Sequence, residues 1–167
     1  DEPRWDAYVQ MSPHCSAYHL SRWQCVVRDC FGHDSYYIMS VNENGLCNGI
    51  LPLVHMKSRI FGNFFVSLPF FNYGGICADS TAIADSLWQK AVELASSKGG
   101  NYIELRSAEE LPWSLPAKTS KVTMELNLPQ APEVLWKSFS SKLRSQIKRP
   151  LREGMSSKLG GIDLLDS

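Results

Sequence analysis

Residues 80–98 constrain the fold more than any other stretch of this chain. Ile83, Leu87, Ala91 and Leu94 recur at helical spacing, Asp79 or Ser80 can cap the start, and Gly99-Gly100 stops the run. Tyr102–Arg106 (YIELR) follows at once with strand character, and Asn63–Pro69 (NFFVSLP) reads as a strand before the helix. A β-loop-α-β unit results. Its helix has one apolar stripe, which must be buried against a sheet.

The remaining pattern supplies that sheet. Ser35–Val41 and Leu46–Met56 read as two strands joined through Asn42-Glu43-Asn44-Gly45, which ends in the Asn-Gly hairpin signal. Gly49 and Pro52 interrupt the second strand and predict a bulge or an edge position. Two helices are expected upstream. The first follows Pro3, with Trp5, Tyr8 and Val9 on one face. The second spans Ser21–Cys30, with Trp23, Val26, Val27 and Cys30 on one face and Gly32 as its C-terminal cap. Lys121–Leu128 (KVTMELNL) reads as a further strand, and a helix is expected from Ala131 to Phe139. A basic helical stretch, Ser140–Arg152, follows and is disturbed by Pro150. The predicted class is α/β, an α+β mixed sheet with helices on its faces. The predicted divisions are residues 1–130 and residues 131–167.

Composition narrows the function. Hydrophobic residues make up 44% of the 167 positions, enough for a core, and 17 cations balance 17 acids. Zero net charge argues against a general nucleic-acid binder. Residues 1–120 carry 9 Lys/Arg against 12 Asp/Glu, net −3, whereas residues 121–167 carry 8 against 5, net +3. The longest apolar runs fall short of a membrane span. The chain starts at Asp1 rather than Met and reads as a processed or excised piece. Five cysteines (Cys15, Cys25, Cys30, Cys47, Cys77), without a CxxC, predict reduced thiols buried among apolar neighbours in a cytosolic protein.

GxSxG, P-loop, GxGxxG and HExxH motifs are all missing, which removes the usual support for serine hydrolases, Walker-type NTPases, dinucleotide dehydrogenases and zincins. His14, Cys15, His19, Cys25, Cys30 and His33 crowd into 20 residues, but their spacings match no familiar zinc pattern. No metal is predicted, and these residues read as scattered core and helix-end positions.

Leu51–Gly75 (LPLVHMKSRIFGNFFVSLPFFNYGG) holds the residues best suited to a site. Lys57 and Arg59 fall in a turn between strands, and Tyr73-Gly74-Gly75 follows a strand. A glycine pair lets the backbone approach a ligand closely and opens N–H groups to an anion or carbonyl oxygen. It also serves as plain turn punctuation. From Lys137 to Arg152 the chain carries six cations (Lys137, Lys142, Arg144, Lys148, Arg149, Arg152) and no acid. Such a stripe suits nucleotide phosphates, a tRNA backbone or an anionic membrane surface, and equally a solvated helix face. Arg144 and Lys148 are predicted to share a face.

The run Leu51-Pro52-Leu53, Lys57-Ser58-Arg59, Phe61-Gly62-Asn63, Ser67, Pro69-Phe70 and Tyr73-Gly74-Gly75 resembles the FemAB-like acyltransferases. Within them it looks like the branch associated with exosortase (PEP-CTERM) exopolysaccharide systems of Gram-negative bacteria. The flanks agree in order: Trp5–Val9, Trp23, Phe31-Gly32-His33, Tyr102–Arg106 and Lys142–Lys148, so the likeness spans residues 4–155. The resemblance implies a GNAT-like fold, normally present as two tandem modules, of which this chain would supply the first and the opening helix of the second. It implies N-acyl or aminoacyl transfer to an amine on a peptidoglycan-like or exopolysaccharide precursor, lipid- or nucleotide-linked, in the bacterial cytoplasm or at the inner face of the membrane. The donor it implies is aminoacyl-tRNA or acyl-CoA. The R/Q-x-x-G-x-G/A pyrophosphate loop of acetyl-CoA enzymes is absent, which counts against CoA in this module. No resident cofactor is implied.

On that reading Tyr73, Gly74 and Gly75 shape the acceptor site, and Lys57, Arg59, Arg106, Lys142, Arg144 and Lys148 bind phosphate or carboxylate groups. No general base stands out, since His33 and His55 read as satisfied structural histidines. The competing expectation is a degenerate, non-catalytic GNAT-like module that binds an anionic glycan or nucleotide-linked precursor.

Overall fold

The computed structural model describes residues 1–108, 110–118, 120 and 122–164. The chain divides into two compact units, residues 1–120 and 121–167, at the same boundary as the charge asymmetry.

The first unit is a mixed α/β layer. In chain order it contains α1 (Glu2–Met11), a 3-10 turn (Ala17–His19), α2 (Trp23–Phe31), β1 (Asp34–Val41), β2 (Cys47–Ser58), β3 (Gly62–Val66), β4 (Cys77–Ala78), α3 (Thr81–Ser97) and β5 (Ile103–Glu104). The sheet runs β1-β2-β3-β5, with β4 also paired to β2. All pairs are antiparallel except β3 with β5, which closes the expected β-loop-α-β unit as a parallel pair.

α3 forms where the periodicity put it. Ser80 Oγ accepts from the Ile83 amide, and Leu87, Ala91 and Ala95 are buried on the sheet. These alanines meet Leu51, Leu53 and Phe65, all fully buried, each worth about 1.5–3 kcal/mol of apolar burial for a Leu- or Phe-sized side chain. On the other side α1 presents Trp5, Tyr8 and Val9 to Ile50 and Cys77. α2 contributes one buried residue, Val27, and ends at Gly32 in the left-handed region (φ +68°). Cys30, expected on its inner face, is exposed.

β2 corrects one expectation. It has the predicted bulge: Ser40 faces Gly49 while Val41 faces Cys47, so Asn48 is the extra residue. It is nonetheless the central strand. Pro52 is tolerated because β4 pairs only at Gly49 and Ile50 and β3 begins to pair at Val54, so Pro52 has a ladder partner on the β1 side alone. Gly49 is required for another reason. A Cβ there would lie 2.5 Å from Ile83 Cγ2, so a side chain would push α3 off the sheet.

β3 and β4 are two pieces of one interrupted strand. Val66 faces Val54, so an unbroken strand would bring residue 70 opposite Ile50; Cys77 stands there instead, an insertion of seven residues. The extra chain bulges out as loop 67–76. Phe70 adopts φ +71°, the one described non-glycine residue with positive φ, and its ring stacks on Phe31 at 4.2 Å.

The second unit contains α4 (Pro132–Ser138), α5 (Ser141–Arg152) and a 3-10 turn at Ile162–Leu164. Pro150 lies inside α5, where it removes one N–H bond to the preceding turn, and the helix nevertheless runs on to Arg152. The strand expected over 121–128 does not form among the described residues. Val122, Met124, Leu126 and Leu128 alternate as a strand would, but all are exposed and no described strand pairs with them. No described helix is long and apolar enough to cross a membrane.

Candidate functional site

The insertion builds a cavity. Loop 67–76 leaves the sheet at the carboxyl end of β3 and is fastened to the chain leaving the carboxyl end of β5. Ser67 donates its amide to the Glu104 carbonyl (2.9 Å), and the Arg106 amide donates to Ser67 Oγ (2.9 Å). The Gly74 amide donates to the Arg106 carbonyl at 3.0 Å. The Arg106 guanidinium completes the clamp, donating to the Phe71 carbonyl (2.8 Å) and to Glu104 Oε1 (2.9 Å). Gly74 and Gly75 are both needed: a Cβ on Gly74 would lie 2.6 Å from Leu68 Cβ, and one on Gly75 would lie 2.5 Å from Ser107 Oγ.

Between this loop, the start of α3 and residues 106–108 and 110–112 lies a cavity of about 370 Å³, walled in part by Tyr73, Gly74, Gly75, Ser80, Arg106 and Ser107. Such a position, outside the carboxyl ends of parallel strands and at a helix N-terminus, is where layered α/β folds take ligands. Ser107 Oγ is buried there without a hydrogen-bond partner among the described residues. Glu110 is the one described carboxylate in the wall.

Of the residues singled out by sequence, Tyr73, Gly74, Gly75 and Arg106 come together in this cavity. Lys57 and Arg59 do not. They occupy the β2–β3 hairpin, and Lys57 lies seven residues along β2 from Ile50, roughly 23 Å of extended strand. His55 sits at that same far end, bonded to Asn63 Oδ1 and stacked on Phe65 at 4.4 Å. Asn63 in turn donates to the carbonyls of Lys98 (3.0 Å) and Gly99 (2.8 Å), so His55 belongs to the network that ends α3. His33 is half-buried, 6.4 Å from the Phe70 ring. Lys142, Arg144 and Lys148 lie in the second unit. Arg144, Lys148 and Arg152 line a shallow hollow of about 350 Å³ with Trp136, whose ring centroid is 5.4 Å from the Lys148 ammonium. Lys142 is exposed outside it.

Sequence spacing missed a sulfur and nitrogen cluster beside the cavity. Cys15, His19 and Cys77 bring their donor atoms within 4.8 Å of one another. Cys77 is 58 residues from His19, so no local spacing could reveal the group; its one clue is that it follows the Gly74-Gly75 pair by two positions. The cysteines also depart from the expected burial: Cys77 is buried, Cys15 and Cys47 half-buried, Cys25 and Cys30 exposed.

The His19 tautomer follows from its neighbours. Its Nδ1 accepts from the Ser16 amide at 3.1 Å, so the ring proton lies on Nε2, which is 3.2 Å from both the Gly75 carbonyl and Cys77 Sγ. Burial pushes this imidazole below the ordinary histidine value, opposed by the bonds to Gly75 and Ser16. A metal-bound imidazole donates its second N–H to an acceptor. Here that second nitrogen already receives an N–H, so the donor set does not fit a divalent ion held through Nε2. The single Cys77 S–H has two acceptors in reach, the His14 carbonyl (3.0 Å) and Cys15; directed at Cys15, it holds that thiol below the ordinary value against the opposing effect of burial.

No family model matches the chain, and no curated protein is similar enough to be matched to it.

Proposed function

We propose that residues 1–120 form a GNAT-like module of FemAB type that transfers an acyl or aminoacyl group to an amine on a peptidoglycan-like or exopolysaccharide precursor. The observation that carries this reading is the cavity at the carboxyl ends of β3 and β5, with Tyr73-Gly74-Gly75 as one wall and Ser107 Oγ unpartnered among the described residues. A buried hydroxyl without a partner costs about 1–3 kcal/mol unless a ligand group completes it.

Acyl transfer to an amine needs the nucleophile held at the carbonyl, the developing oxyanion stabilised and one proton removed. Ser107 Oγ and the start of α3 supply polar contacts for the precursor. The Arg106 N–H groups not engaged with Glu104 and Phe71 reach an anionic group on it. Glu110 takes the amine proton. His19 does not, because its lone pair is occupied by the Ser16 amide. The basic hollow on α5 suits the anionic part of a tRNA donor, a nucleotide-linked precursor or the inner face of a bacterial membrane, which would make the protein a cytoplasmic one.

One observation favours a second reading. Among the described residues the only buried imidazole in the cavity, His19, is no base, which suits a module that binds the precursor without chemistry. The full chain, given labelled aminoacyl-tRNA or acyl-CoA with a nucleotide-linked, amine-bearing precursor, separates the two. Transfer that falls in Glu110→Gln with KM unchanged supports the enzyme. Precursor binding with no transfer from either donor selects the binding module.

A further inference from the structure

Cys15 and Cys77 lie at the junction of two segments far apart in sequence. Cys15 belongs to the loop after α1, its amide bonded to the Ser12 carbonyl, and Cys77 opens β4. Their sulfurs are within 4.8 Å of each other, against a sulfur–sulfur bond length of about 2 Å in a disulfide. The two differ in access: Cys15 is half-buried, while Cys77 is 3% exposed under the cavity wall. His19 Nε2–H stands 3.2 Å from Cys77 Sγ and points a donor at that sulfur.

We propose that Cys15 and Cys77 form a thiol modification site that takes a peroxide as its oxidant and closes to a disulfide beside the cavity. The Cys15 thiolate attacks one oxygen of the peroxide, the O–O bond breaks, and the departing oxygen takes a proton to leave as water or an alcohol. Cys15 becomes a sulfenic acid. The Cys77 sulfur then attacks the Cys15 sulfur, the S–O bond breaks, and the hydroxide leaves with the Cys77 proton as water. Two thiols lose two electrons in all, and the peroxide gains them.

The order of attack follows from access and hydrogen bonding. Cys15 reaches solvent and is held below the ordinary thiol value, the character of an attacking cysteine. The nearby Asp79 carboxylate opposes that effect without cancelling it. Cys77 is shielded and receives the His19 N–H, which stabilises negative charge on sulfur as it attacks. Cys47, the third thiol of this region, is pushed up by burial and is the poorer competitor. The disulfide would tether the segment carrying His14 and Ser16 to β4, and both residues line the cavity. The inference does not depend on acyl transfer.

The test treats the full chain with graded hydrogen peroxide, alkylates remaining thiols and maps the peptides without reduction. The expected result is a Cys15–Cys77 cross-link, reversed by dithiothreitol, with Cys15 losing alkylation about tenfold faster than exposed Cys25. In Cys77→Ser the sulfenic acid at Cys15 persists and is captured by a dimedone probe; in Cys15→Ser neither cross-link nor adduct forms at Cys77. If Cys77→Ser does not fold, the wild-type cross-link map decides alone. Oxidation of Cys25 and Cys30 with no Cys15–Cys77 link, or a dominant Cys15–Cys47 link, overturns the proposal.

Discussion

Replacing Gly74 by alanine tests how the cavity wall is held. Gly74 has φ +148°, and a methyl there would stand 2.6 Å from Leu68 Cβ and 3.3 Å from Leu68 Cδ2. Leu68 is fully buried with Val27 and Val54, so it has nowhere to move. Two effects combine: strained backbone, about 1 kcal/mol, and overpacking of a filled core, about 1–3 kcal/mol. Gly32→Ala is the internal control, because it has φ +68° but nothing within 4 Å of its Cβ, and it carries the backbone effect alone. At about 3 °C per kcal/mol for a chain of this size, Gly74→Ala melts about 6–12 °C lower and Gly32→Ala about 3 °C lower. Thermal unfolding by circular dichroism reads both. If Gly74→Ala melts no lower than Gly32→Ala, the loop is not packed against Leu68 as described and the cavity wall falls with it.

Other perturbations separate stability from the site. Asn63→Ala breaks the bonds to Lys98, Gly99 and His55 at the far end of the sheet; it is expected to cost about 1–3 kcal/mol in denaturant melts while leaving precursor affinity unchanged. Ser107→Ala removes the unpartnered buried hydroxyl, so the ligand-free chain gains about 1–3 kcal/mol of stability while affinity in calorimetry drops. His19 has a folded pKa below its unfolded value, so the unfolded chain binds more protons once pH falls below about 6.5. Stability is complete above that value and declines below it by up to about 1.4 kcal/mol per pH unit. His19→Gln, which preserves a donor toward Gly75, flattens that limb of the pH–stability curve. Arg144→Glu with Lys148→Glu inverts the charge of the α5 hollow and weakens tRNA binding about tenfold or more, measured by filter retention at fixed salt.

Much of this fold can be read from local pattern. α3 and β5 follow from a stripe and a stop, and α1 from Trp5, Tyr8 and Val9, because their faces repeat within a few residues. Pro52 misled for a physical reason: proline argues against a central strand, yet here the strand on one side of β2 is broken opposite it. Residues 122–128 misled in the opposite sense, since alternation predicts a strand only where a partner exists to receive it. The site was half legible. Tyr73-Gly74-Gly75 stood out because paired glycines signal close approach, and Arg106 only through the family resemblance, which gave it an anion-binding role. Ser107, Glu110, His19 and Cys77 did not, since their meaning depends on contacts between segments far apart in sequence.

The central claim is that the cavity between loop 67–76 and residues 106–108 and 110–112 binds the precursor. Calorimetric titration of the full chain with a nucleotide-linked, amine-bearing cell-wall precursor tests it most directly, with Ala84→Trp as the variant that fills the space from α3. The account predicts saturable binding by the native chain and its loss in an Ala84→Trp protein that retains the native circular dichroism spectrum. Equal affinity in both proteins would contradict it.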